Sequence, residues 1–216
     1  MITEFSTNHL GILLLAARWT LLVSLLAFVG GTAAGFAVAL CRTSRHALLR
    51  RASMVYIQIV QGTPVLIVLF LSYYGLSVLG LKLSPMLAAT LAMSIYASAY
   101  LGEIWRGCIE AVPPGQWEAG ESLAMTRWQQ LRHVVLPQAL RLAIPPTVGF
   151  SVQIVKNTSI TSIIGVVELT RAGQLINNAT FQPFVVFVVV ALVYFALCFP
   201  LSSAAKRMER NLHVAR

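Results

Sequence analysis

The chain has 216 residues, of which 57% are hydrophobic and 11% charged, with a mean hydropathy of +0.77 and a formal net charge of +9. Soluble domains carry roughly a quarter charged residues, so this composition excludes an ordinary soluble fold and identifies an integral membrane protein. The seven acidic residues are all Glu, the four histidines are scattered, and Cys41, Cys108 and Cys198 stand far apart without a CxxC pair; no metal site is indicated, and the cysteines read as small apolar residues in or near helix ends.

The N-terminal MITEFSTNHLG lacks the basic start and small-residue cleavage pattern of a signal peptide, so the first apolar segment is expected to remain in the mature chain. A bilayer core takes about 20 apolar residues of helix. On that measure the chain is all-α, a single membrane domain over residues 1–216 with about five spans, at approximately 19–41, 53–79, 84–106, 139–165 and 183–204. In the first span Gly31-Thr-Ala-Ala-Gly35 has small-xxx-small spacing, which serves packing within the chain or dimerisation equally well. In the second, Gln61-Gly62-Thr63-Pro64 breaks the helix with a proline that has no N–H to donate. Broken membrane helices face protein or a water-filled cavity, so this stretch is either part of a translocation path or a packing kink beside Tyr56. Near the end of the third span Glu103 and Arg106 share one helical face, as a structural ion pair or with Glu103 in a gating role.

Pro113-Pro114-Gly115 stops the third helix, and the polar segment after it contrasts with everything around it. Gln116 to Ala124 reads as a short helix carrying Glu118 and Glu121. Thr126-Arg-Trp-Gln129 has capping-box spacing, so a second short helix is predicted from about Arg127, and Leu136-Pro137 marks the turn toward the next span. By periodicity alone, residues 113–137 are either a loop lying on the headgroups, held by Trp117, Trp128 and the arginines, or a docking element for a partner. The fourth span contains Lys156-Asn157-Thr158-Ser159. Burying an ammonium in lipid costs at least ~2.5 kcal/mol on insertion scales, so Lys156 is expected to face the bundle interior, toward substrate or in a salt bridge with Glu103 or Glu168. Glu168 to Gln182 is polar, helix-capable and expected outside, where by its residues alone it reads as an ordinary loop.

Loop charges set the sidedness. Twelve Lys and Arg (42, 45, 50, 51, 106, 127, 132, 141, 206, 207, 210 and 216) lie in or beside one set of loops, against three (18, 82 and 171) in the alternate set. The N-terminus is therefore expected outside, and the C-terminus and the 113–137 segment in the cytoplasm, which accounts for most of the net charge without nucleic acid.

The polar segment resembles the EAA loop of permease subunits in ATP-binding-cassette importers. Glu118 and Ala119 match the start of that pattern, and Val134-Val-Leu136-Pro137 falls at the distance of its end; Gly120 stands for the second alanine and Ala124 for the glycine. Five blocks in order, Gln61-Gly-Thr-Pro-Val, Tyr100-Leu-Gly-Glu103-Ile-Trp-Arg106-Gly107, Pro114-Gly-Gln116-Trp-Glu118-Ala, Lys156-Asn-Thr-Ser159 and Ile164-Gly-Val-Val-Glu168-Leu, are similar to the polar amino-acid importers of the histidine, arginine, glutamine and glutamate type. The resemblance implies a two-helix coupling loop in which Glu118, Ala119, Gly120, Glu121, Ala124, Met125, Arg127, Leu136 and Pro137 meet a dimeric partner ATPase. It further implies an extracytoplasmic amino-acid-binding protein, received substrate-loaded at the face from Glu168 to Gln182, and a place in a bacterial cytoplasmic membrane. Five spans enclose too little for a complete alternating pathway, so a second permease chain, identical or related, is expected to assemble with this one. Gln61, Gly62, Thr63, Pro64, Glu103, Lys156, Asn157, Thr158 and Ser159 are the candidates for the translocation path or its gate. No GxxxxGK[ST] occurs in the chain, so it is expected not to be an enzyme and to bind no cofactor; ATP and Mg would be used by the partner. The competing readings are a secondary amino-acid transporter or channel subunit, which would favour inverted repeats, and a membrane enzyme, which would favour clustered His, Asp or Glu.

Overall fold

The computed structural model describes residues 4–214, which contain helices and turns and no strand; Arg216, counted above in the basic tail, lies outside the described residues. Helix α1 (Thr7–Arg42) begins well before the predicted span at 19. The backbone N–H of Ser6 donates to His9 Nδ1 at 3.1 Å at its start, and Arg18 sits within the helix with its guanidinium over the Trp19 ring, 5.3 Å from the centroid. A charge ends a hydropathy window without ending a helix.

Helices α2 (Ala47–Gly62) and α3 (Val65–Val78) meet at 104°, and α3 contains a π turn at Leu71–Gly75. The break is at Thr63-Pro64. Thr63 is extended (φ −105°, ψ 131°), as a residue before proline prefers, and its hydroxyl donates to the Ile59 carbonyl at 2.7 Å, satisfying an acceptor at the helix end. Residues 53–79 thus form two helices at a steep angle, more sharply divided than one interrupted span.

Helix α4 (Pro85–Glu110) starts with Pro85 in its first turn, and the Ser84 hydroxyl accepts from the Leu87 N–H at 3.3 Å. It packs along α1 at glycine-limited distance: a Cβ on Gly31 would lie 2.4 Å from Ala97 Cβ, and one on Gly102 would lie 2.7 Å from Val38 Cγ1. The small-residue spacing of Gly31 and Gly35 therefore serves packing inside the chain. Tyr56 of α2 ties into the same unit through its hydroxyl, 2.6 Å from Ser98 Oγ. Val23, Leu69, Ala88, Ala92 and Ile164 form a core where α1, α3, α4 and the following long helix meet.

After α5 (Pro114–Ser122), helix α6 (Arg127–Ile164) runs without interruption through a π turn at Leu131–Val135 and ends as a 3-10 turn at Thr158–Ile164. The predicted turn at Leu136-Pro137 is absent: both residues lie inside α6. Proline removes one helical hydrogen bond and crowds the carbonyl four residues back, and the π turn at that place widens the backbone so that the helix continues. Gly165 closes α6 at φ +95°, and α7 (Leu169–Thr180) follows at 51°. Helix α8 (Pro183–Val214) returns along α6 and α7. By length and composition α1, α4 and α8 can each cross a membrane, and the number is up to five if each of the bent pairs α2–α3 and α6–α7 is one span.

Candidate functional site

The 113–137 segment folds as a hairpin of α5 and the first turns of α6. Its base is an apolar cluster of Ile109, Val112, Val135 and Ala139, with Trp117, Leu131, Val134 and Leu136 packed on it. Glu118, Ala119 and Glu121 are exposed on α5, while Gly120 is buried. A Cβ at Gly120 would come within 2.8 Å of Gln130 Cγ. Gln130 is 2% exposed and donates from Nε2 to the Met125 carbonyl at 3.1 Å, so the glycine makes room for a glutamine that closes the hairpin. Ala124 holds φ at +53°, the left-handed region that an L-residue other than Gly occupies at a cost. The bend between α5 and α6 depends on that strained residue.

Thr126 and Gln129 then form the reciprocal cap expected at the start of α6: the Gln129 N–H donates to Thr126 Oγ1 at 3.4 Å and the Thr126 N–H to Gln129 Oε1 at 2.8 Å. Arg127 turns back and stacks on Trp117, with Cζ 3.3 Å from the ring centroid, a cation–π contact that braces the two helices. The tip presents Leu123, 76% exposed, and Trp128, 58% exposed. Glu121 also reaches Arg45 of the α1–α2 loop at 3.9 Å. Both side chains are well exposed, so this pair orients more than it stabilises.

The candidate path residues separate into three places. Gln61, Gly62, Thr63 and Pro64 line the α2–α3 break, where Gln61 Nε2 donates to the Ala99 carbonyl of α4 at 3.4 Å. Glu103 lies at the end of α4, accepting from Arg106 Nη2 at 2.6 Å and facing Arg42 Nε at 3.6 Å; Arg106 also pairs with Glu110. Lys156, Asn157, Thr158 and Ser159 fall at the end of α6, where Thr158 is fully buried with its hydroxyl donating to the Val155 carbonyl at 2.7 Å. Lys156 is exposed, beside Tyr194, Cys198 and Ser202 in a groove between α6 and α8. The expected internal salt bridge is corrected on this point: among the described residues no carboxylate lies within 4 Å of Lys156. Glu103 is committed to Arg106 and Arg42, and Glu168 is enclosed elsewhere. Lys156 and Gln153 instead leave an exposed polar face on this chain, with the Gln153 amide donating to Asn157 Oδ1 at 3.3 Å.

Glu168 has a more definite structural role than its sequence context suggests. It is wholly buried and caps α7, accepting from the Thr170 N–H at 3.0 Å and the Arg171 N–H at 2.9 Å. Tyr194 OH of α8 donates to it at 2.7 Å, and Thr20 of α1 at 3.4 Å. One carboxylate thus joins α1, α7 and α8 through neutral donors. The available signal was an acidic residue immediately before a helical run, where the positive end of the helix dipole favours negative charge.

Residues 31–214 match the family of binding-protein-dependent transport system inner membrane components. The chain belongs to this family. The permease is 36% identical over 180 residues to the probable amino-acid ABC transporter permease protein YckA of Bacillus subtilis (strain 168), with 83% of this chain and 80% of that protein covered. It is 37% identical over 195 residues to the L-cystine transport system permease protein TcyB of the same organism, covering 90% and 83%. Among solved structures it superposes on an amino acid ABC transporter with histidines at a TM-score of 0.89 and 31% identity, over 98% of this chain and 100% of that one. This membership supports an ATP-driven importer permease over the secondary transporter or channel reading.

Proposed function

We propose that the permease is the transmembrane subunit of an importer for polar amino acids, driven by ATP hydrolysis in a separate ATPase dimer and fed by an extracytoplasmic amino-acid-binding protein. It lies in a bacterial cytoplasmic membrane with its N-terminus outside and its C-terminus inside. Residues 113–137 dock on the ATPase, through Glu118, Ala119, Gly120, Glu121, Ala124, Met125, Arg127, Leu136 and Pro137. A second permease chain completes the pathway, along which Gln61, Gly62, Thr63, Pro64, Glu103, Lys156, Asn157, Thr158 and Ser159 contribute path or gate groups. This chain itself binds no ATP or Mg and performs no chemistry. The substrate class rests on the relatives, which carry amino-acid names over most of their length.

The observation that carries the coupling role is the hairpin's tip. Leu123 and Trp128 are exposed, at 76% and 58%, on a loop whose interior is capped, clamped and packed. A rigid protrusion with exposed large apolar side chains at its end is suited to a protein groove. The test is to replace Leu123 by Asp and, separately, Ala119 by Trp, then measure ATPase co-purification in mild detergent and ATP-dependent amino-acid uptake in proteoliposomes. Loss of both with unchanged thermal unfolding is the expected result. Retention of the ATPase by both variants would overturn the docking assignment.

A further inference from the structure

An apolar groove of about 450 Å³ runs between α1, the end of α4 and the start of α6, beside the coupling hairpin. Phe36, Trp105, Cys108, Leu136 and Leu140 line it, and Arg132 is the one charged residue on its wall. Trp105 donates its indole N–H to Thr147 Oγ1 at 2.8 Å and meets Phe36 edge-on at 6.1 Å, so its polar atom is satisfied within the fold and its apolar face is left to the groove. Arg132 is exposed, and among the described residues no carboxylate lies within 4 Å of it.

We infer that this groove holds an anionic phospholipid of the cytoplasmic leaflet, with an acyl chain along the apolar wall and the phosphate at Arg132. Charge decides between lipid and a second copy of the chain. Of the carboxylates at this end of the molecule, Glu103 and Glu110 are held by Arg106, and Glu121 by Arg45. Glu118 and Glu209 remain, against a surface that also carries Arg127, Arg141, Lys206, Arg207 and Arg210. A copy of this chain would therefore bring mostly cations to a site that already has an unpaired one. An anionic headgroup brings the missing charge, and basic pockets between membrane helices on the cytoplasmic side are suited to such lipids. Trp105 near the end of α4 and Arg132 near the start of α6 also match the interfacial depth at which headgroup and acyl chain meet.

The inference rests on the proposed sidedness, and its test keeps the two apart. Cys108 lies in the groove and reports its occupancy. The permease, purified in mild detergent with the subunits that accompany it, is treated with N-ethylmaleimide in the presence of phosphatidylglycerol or phosphatidylcholine, and Cys108 alkylation is followed by peptide mass spectrometry. Phosphatidylglycerol is expected to slow labelling severalfold more than phosphatidylcholine does. Arg132→Gln removes that difference, Arg132→Lys keeps much of it, and Arg207→Gln, whose arginine does not line the groove, leaves it intact. Equal protection by both lipids, or undiminished protection in Arg132→Gln, overturns the inference. So does a Cys108–Cys108 crosslink between copies, which would show protein covering the groove. Sidedness is read independently, from labelling of Ser122→Cys by an impermeant maleimide in inside-out and right-side-out vesicles. Labelling from the outside would overturn the orientation, and with it the leaflet, while leaving the lipid result in detergent readable.

Discussion

Ala124 sits at φ +53°, so the bend between α5 and α6 is held by a residue whose side chain opposes it. Ala124→Gly should raise stability by up to about 1 kcal/mol, because removal of the Cβ relieves more strain than the added unfolded-state entropy costs; thermal unfolding of the purified chain measures it. Four residues earlier the argument reverses. Gly120→Ala places a methyl 2.8 Å from Gln130 Cγ, and overpacking of this kind costs about 1–3 kcal/mol. In a Gln130→Ala background, which carries its own loss from the broken bond to the Met125 carbonyl, Gly120→Ala should cost much less, whereas additive losses in the double-mutant cycle would show that the two residues do not share that space.

Among the elements, α1 and α4 form the tightest pair, and their contact admits a direct test. Gly31→Val would force a branched side chain against Ala97, where even a single Cβ lies 2.4 Å from its neighbour; unfolding temperature and yield in the membrane should both fall. Gly11→Val, on the same helix with open space around it, should leave both unchanged. The break at Thr63-Pro64 and the cap at Thr126 were legible in the sequence, because a missing proline donor and a capping box are local signals. Other features were not. The early start of α1 was hidden by Arg18, since charge counts register residues and not hydrogen bonds. The passage of α6 through Pro137 depends on a π turn that leaves no compositional mark. The strain at Ala124 was visible only as an alanine where the resembling pattern has glycine; its φ needed the structure. Tertiary pairing was the least legible. Glu103 and Arg106, three residues apart, pair as their spacing allows, but Lys156 finds no carboxylate, and Glu168 joins three helices far apart in sequence.

At the scale of the whole molecule, the chain carries a polar face that it does not itself cover. Gln153 and Lys156 are exposed, with Asn157 beside them, at the end of a helix that the span prediction places in the membrane. Leaving an ammonium and an amide to lipid would cost at least ~2.5 kcal/mol for the lysine alone on insertion scales, so the face is expected to meet water or protein. In the proposed assembly it meets both, as the wall of a pathway shared with the second permease chain. Two measurements separate those contributions. A cysteine at Gln153 should crosslink to the second permease chain with a short bifunctional maleimide, provided that chain carries a cysteine at the facing position, and ATP should alter the yield as the pathway opens and closes. Lys156→Met should leave that assembly and its thermal unfolding unchanged while reducing uptake severalfold, as expected if the ammonium meets the passing carboxylate. Normal uptake by a folded Lys156→Met permease would remove the lysine from the path. If assembly were lost instead, its role would lie in the contact between chains, where charge buried without a partner is costly.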